Sequence, residues 1–105
     1  MREPIELFTY GTLQDLEIQF RLFGRKLTGY PDALIGYEMS DKKIMGKYKV
    51  IHESQNQNNS LKGVRYTMEF QELLITDTYE GKAYKRILVT LASGKKAWVY
   101  VENSI

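Results

Sequence analysis

The stretch "ELFTYGTLQDLEIQF", residues 6–20, sets the frame for the whole chain. Ile5, Leu7 and Thr9 alternate with Glu6, Phe8 and Tyr10, and this period of two predicts a strand whose last inward residue is Tyr10. Gly11 ends it. Thr12 is placed to cap a following helix, with Asp15 in its first turn. Leu13, Leu16, Phe20 and Phe23 then recur at helical spacing until Gly24 supplies the stop. A strand, a tight turn and a helix therefore open the chain.

Beyond this unit, residues 24–32 (GRKLTGYPD) read as a connection leading to a short strand from Ala33 to Met39, and a further strand is expected from Lys47 to Ile51. The run His52 to Ser60 holds no apolar residue and reads as an exposed, mobile loop. Lys62 to Met68 alternates again. Thr67 is placed to cap a second helix with Phe70, Leu73 and Leu74 on one face, ending near Thr78 to Gly81. Tyr84–Leu91 and Ala97–Val101, separated by Ala92-Ser93-Gly94-Lys95-Lys96, form a hairpin signal. The order predicts an α+β fold of about six strands and two helices, mostly antiparallel.

With 105 residues, 43% hydrophobic and 27% charged, the chain fits one domain, 1–105, able to bury a core without staples. Its apolar runs are too short for a bilayer, and Met1 to Ile5 lacks the apolar core of a secretory leader. The absence of cysteine removes disulfides, thiolate metal sites and cysteine nucleophiles, and suits a cytoplasmic location. A formal charge of +2 does not argue for a nucleic-acid partner.

Two places offer chemistry. At the corner Tyr10-Gly11-Thr12-Leu13, backbone N–H groups at a helix start lack intrahelical partners and suit a carboxylate, phosphate or oxyanion. On those four residues alone, a simple turn with a capping threonine is the favoured reading. In Asp77-Thr78-Tyr79-Glu80-Gly81, a carboxylate at a helix C-terminus feels the negative end of the helix dipole, which raises its pKa toward the range useful for proton transfer. An exposed glutamate beside a glycine cap is the competing reading. His52, the one histidine, lies in the most polar loop and supports neither a catalytic triad nor a histidine metal cluster. Lys42, Lys43, Lys47 and Lys49 form a basic run that reads as a solvated face.

Taken together, the two places carry a resemblance. Phe8-Thr9-Tyr10-Gly11-Thr12-Leu13 resembles the F/V-x-Y-G-T-L signature of the gamma-glutamylcyclotransferase-like family, and Asp77, Glu80, Tyr84 and Arg86 resemble its second signature, D-x-x-E-x-x-x-Y-x-R. The stretches 22–26, 31–37, 63–66 and 92–100 resemble a bacterial branch of that family. The resemblance implies a small mixed β-barrel with flanking helices and a pocket between the Y-G-T-L turn and the glutamate. It implies cyclisation of a γ-glutamyl-amine or γ-glutamyl-peptide to 5-oxoproline with release of the amine. Glu80 would act as base and then acid, with Tyr10, Gly11, Thr12, Leu13 and Tyr84 binding the substrate. Neither metal nor cofactor is called for, and the expected partner is the small molecule alone, not nucleic acid or membrane. A non-catalytic binder of glutamate-like ligands on the same fold is the alternative, and an interaction module using Lys42 to Lys49 is a third.

Overall fold

The computed structural model describes residues 4–44 and 48–103. In chain order the elements are β1 (Ile5–Thr9), α1 (Leu16–Phe23), β2 (Thr28–Ile35), β3 (Tyr37–Ile44), β4 (Tyr48–Glu53), β5 (Ser60–Met68), α2 (Phe70–Glu80), β6 (Tyr84–Thr90) and β7 (Lys96–Glu102). Five strands form one sheet in the order β2-β5-β1-β7-β6, and β3 pairs with β4 in a separate ribbon. All pairings are antiparallel except β1 with β7, which run parallel with Leu7 beside Trp98.

The α+β class agrees with the sequence reading; the barrel does not close. Among the described residues β2 and β6 are the two sheet edges, and seven strands replace the expected six or so. The extra strand comes from Gly36. Its φ of +84° breaks the strand between Ile35, which pairs with β5, and Tyr37, which pairs with β4, so the run expected as one strand from Ala33 to Met39 belongs to two. Instead of closing the sheet, the β3–β4 ribbon lies across one of its faces.

That layering explains why β1 is buried on both sides. Leu7 and Phe8, which point to opposite faces, are 0% and 1% exposed. On the Leu7 side sit Leu13, Leu27, Tyr66, Met68, Leu73 and Tyr100, with α1 and α2 contributing Ile18, Leu22 and Tyr79. On the Phe8 side, Leu34, Ile51, Leu91, Ala97 and Val99 form a second cluster. Each fully buried side chain of this size contributes roughly 1.5–3 kcal/mol of transfer free energy. The helices, the sheet and the ribbon thus share β1 as their common core strand.

The helix faces differ from the sequence expectation. Thr12–Gln14 form a separate 3-10 turn, Asp15 takes an extended conformation (φ −73°, ψ 125°), and α1 begins only at Leu16. This break shifts the helical phase. Leu16 and Phe20 are 48% and 55% exposed, while Gln19 and the flanking Ile18, Leu22 and Phe23 face inward. Asp15, not Thr12, caps α1, its side chain accepting a hydrogen bond from the Glu17 amide at 2.8 Å. Thr67 belongs to β5, and Glu69 caps α2 in a reciprocal box with Glu72. On α2 the buried residues are Leu73 and Thr76, whereas Phe70 and Leu74 stay exposed.

The loop expected from His52 to Ser60 is shorter and more ordered than its composition suggests. His52 and Glu53 finish β4, Ser54 is buried, and its hydroxyl accepts hydrogen bonds from the Asn56 amide and the Asn59 side chain. The basic run from Lys42 to Lys49 lies outside the side chains that can be described, and Lys47 lies outside the described residues. Among the described residues, no helix is long and apolar enough to cross a membrane.

Candidate active site

At the C-terminal end of β1 the chain leaves the sheet through Tyr10 and Gly11 and enters the 3-10 turn. A cavity of about 330 Å³ opens there, lined by Phe8, Thr9, Tyr10, Gly11, Thr12, Leu13, Gln14, Glu80, Tyr84 and Tyr100. Its size lies at the small end of ligand pockets. All six residues singled out in the sequence, Tyr10, Gly11, Thr12, Leu13, Glu80 and Tyr84, meet on its wall although some seventy positions separate its two halves.

Glu80 ends α2 with Gly81 as the cap. Its pKa is pushed up to about 7, and burial is the cause. The direction matches the sequence expectation; the helix dipole is not needed to produce it. Asp77, one turn earlier, behaves in the opposite way. Burial works against its ionisation, but the Arg86 guanidinium at 2.8 Å and the Tyr100 hydroxyl at 2.6 Å outweigh it and hold its carboxyl below the ordinary value. Arg86 in turn lies 4.5 Å from the centre of the Trp98 ring.

The tyrosines form the polar side of the wall. Tyr10 donates its hydroxyl to the Tyr100 carbonyl at 2.6 Å, tying the end of β1 to β7. Burial, then the proximity of Tyr84 and Glu80, raises its pKa, so it stays a proton-bearing donor. Burial and the hydrogen bond to Asp77 do the same for Tyr100. Thr12 is freed from capping, and its hydroxyl shares a 2.8 Å hydrogen bond with the Tyr79 hydroxyl. That contact joins the turn to the residue preceding Glu80.

Gly11 separates the turning role from the holding role. Its φ of −145° lies outside the left-handed region, and a Cβ placed on it would meet no protein atom within 4 Å. Packing against protein atoms does not call for glycine. The missing side chain leaves space on the cavity wall instead. In the turn, the first bond runs from the Gln14 amide to the Gly11 carbonyl at 3.2 Å, so the amides of Thr12 and Leu13 precede any donor used within the turn.

Sequence reasoning missed Gln14 and Tyr100. Gln14 donates its side chain back to the Thr9 carbonyl at 3.0 Å and lines the cavity. Tyr100 reaches the cavity through the parallel pairing of β1 with β7, which nothing local announces. Among the described residues, no three His, Cys, Asp or Glu side chains are grouped to hold a metal ion.

Helices over an open sheet, with a half-buried carboxylate and a strand-to-helix turn on the wall of one small cavity, define the fold class and its candidate site. The chain belongs to the gamma-glutamyl cyclotransferase, AIG2-like family, whose model matches residues 7–104. Comparison with curated protein sequences gives no match. Among solved structures, an Arabidopsis thaliana protein superposes with a TM-score of 0.82 at 23% identity, over 97% of this chain and 64% of that one. One named gamma-glutamyl cyclotransferase gives 0.78 at 19% identity, over 97% and 68%. A Pyrococcus horikoshii protein gives 0.70 at 20% identity, over 96% and 80%. At these identities the likeness shows the fold. The chain spans just under two thirds of the Arabidopsis protein's length.

Proposed function

We propose that this chain is a cyclotransferase acting on a γ-glutamyl-amine or γ-glutamyl-peptide, with Glu80 as its general base and acid. The observation that carries the reading is the Glu80 carboxyl, pushed up to about 7, on the wall of a small cavity shared with the Tyr10 to Leu13 turn.

The chemistry follows from what each group offers. The α-ammonium of the substrate gives a proton to the Glu80 carboxylate, and the freed amine attacks the γ-carbonyl of the same molecule. A carbon–nitrogen bond forms, the γ-amide bond breaks, and Glu80 relays to the leaving nitrogen both protons that the α-nitrogen gives up, so that the amine departs as its ammonium. The products are 5-oxoproline and an amine, with no water consumed. A carboxyl titrating near neutrality suits both transfers. The amides of Thr12 and Leu13 are suited to the substrate carboxylate or the developing oxyanion. Because nucleophile and carbonyl are in one molecule, the cavity's task is to hold the substrate folded, and the bare Gly11 wall gives it room.

A panel of γ-glutamyl compounds assayed for 5-oxoproline, run beside Glu80→Gln, tests the reading. Release by the native chain and a loss of about 100-fold or more in the variant, with ligand affinity retained, is expected. Binding of glutamate-like ligands without release from any panel member would assign the protein as a binder only.

A further inference from the structure

Gln19 is the one large polar side chain in the core of α1, 0% exposed, at a helix position where an apolar residue would pack without a desolvation cost. Both ends of its amide are used, and both partners are backbone. Nε2 donates to the Leu13 carbonyl at 2.9 Å, and Oε1 accepts from the Leu27 amide at 2.9 Å. Leu13 belongs to the cavity-lining turn and Leu27 is the first core residue after α1, so one side chain bolts the turn to the chain that re-enters the core.

We infer that Gln19 is a positioning residue that fixes the Thr12–Gln14 turn in the shape the cavity needs. The Leu13 carbonyl shares a peptide plane with the Gln14 amide, and that amide closes the turn on the Gly11 carbonyl. Gripping the carbonyl therefore sets the plane. The Gln14 side chain holds the other end of the same segment through the Thr9 carbonyl. Between these anchors lie the amides of Thr12 and Leu13, the groups that face an anionic atom in the proposed reaction. Gln19 does not itself line the cavity and acts through the turn. Its catalytic consequence rests on the cyclotransferase reading; its effect on the turn does not.

The test is Gln19→Met, which keeps length and volume and removes both hydrogen bonds, studied well below its melting temperature. Hydrogen exchange should show protection of the Gln14 amide falling at least tenfold relative to the Leu7 and Val99 amides of the sheet. On a γ-glutamyl substrate, kcat per folded molecule should fall tenfold or more, with a smaller change in KM. A purely structural role would lower the melting temperature while leaving kcat, KM and Gln14 protection unchanged, and that result would overturn the inference. If the native chain releases no 5-oxoproline, the cyclotransferase reading fails and the exchange measurement alone decides on the clamp. If Gln19→Met does not fold, the native protein decides. Its Gln19 side-chain NH2 and Gln14 amide should exchange with the same protection, and a Gln14 amide that opens independently would refute the clamp.

Discussion

Asp77 and Glu80 stand one helical turn apart at the end of α2, yet their surroundings drive their carboxyls in opposite directions. Asp77 is held ionised by Arg86 and Tyr100 despite its burial, while burial pushes Glu80 up to about 7. In the proposed reaction such a split suits the first carboxylate to anchoring and the second to carrying the proton. Glu80 must be ionised to accept the α-ammonium proton, so kcat/KM should fall about tenfold per pH unit on the acid side of a midpoint near 7. A pH–rate profile on any active γ-glutamyl compound measures it; a limb centred near the ordinary carboxyl value of 4.5 would refute the assignment.

The same group has a stability signature. A carboxyl whose folded pKa lies above its unfolded value costs stability as the pH rises from 4.5 through about 7, because the ionised form is disfavoured only in the fold. Glu80→Gln removes that cost. The variant should therefore melt higher than the native chain at pH 8, with the gap closing toward pH 5. Thermal melts at the two pH values check it.

Arg86→Met should act through Asp77. The native carboxyl sits below its ordinary 3.8, so it contributes stability above that value and loses it as the pH falls through the folded pKa. Without Arg86 the contribution shrinks by about 1–2 kcal/mol at neutral pH, a modest figure because the pair is partly open to solvent. Melting curves of variant and native protein should converge as the pH falls below 3.8.

What the sequence disclosed was local. The β6–β7 hairpin followed from Ala92-Ser93-Gly94-Lys95-Lys96, and the end of α2 from Gly81, because a turn or a cap is decided by its neighbours. The Y-G-T-L turn and Glu80 were both visible as candidates, and their meeting on one cavity depends on β1 lying beside β7 and α2 packing on the same face. Hidden features depend on conformation or on distant partners. Gly36 splits a run of β-favouring residues only because its φ is positive, and Asp15 replaces Thr12 as the cap only because a 3-10 turn intervenes. Gln19 breaks the apolar pattern of α1 and reads as a solvent position until its two backbone partners are seen.

Gly63 shows how tightly β1 and β5 approach behind the site. A Cβ there would lie 2.2 Å from the Thr9 carbonyl oxygen and 2.7 Å from the Phe8 ring. The first neighbour is backbone and cannot swing aside. Gly63→Ala should destabilise the fold by about 3 kcal/mol by forcing the strands apart. Since the Thr9 carbonyl also anchors Gln14, ligand affinity should fall in whatever fraction remains folded. Chemical denaturation with a parallel binding titration measures both.

Gly11→Ala is the counterpart, and it separates a corner that merely turns from one that holds. Its φ is not left-handed, and the added methyl would meet no protein atom within 4 Å, so the melting temperature should stay close to native. The methyl would instead occupy space on the wall of a cavity of only about 330 Å³. For a ligand seated against Gly11, KM should rise by about tenfold or more, the scale of roughly 1–3 kcal/mol that one misplaced methyl costs in a tight pocket. Unchanged KM with a lowered melting temperature would return Gly11 to a purely structural role and move the substrate to the Tyr84 side of the cavity.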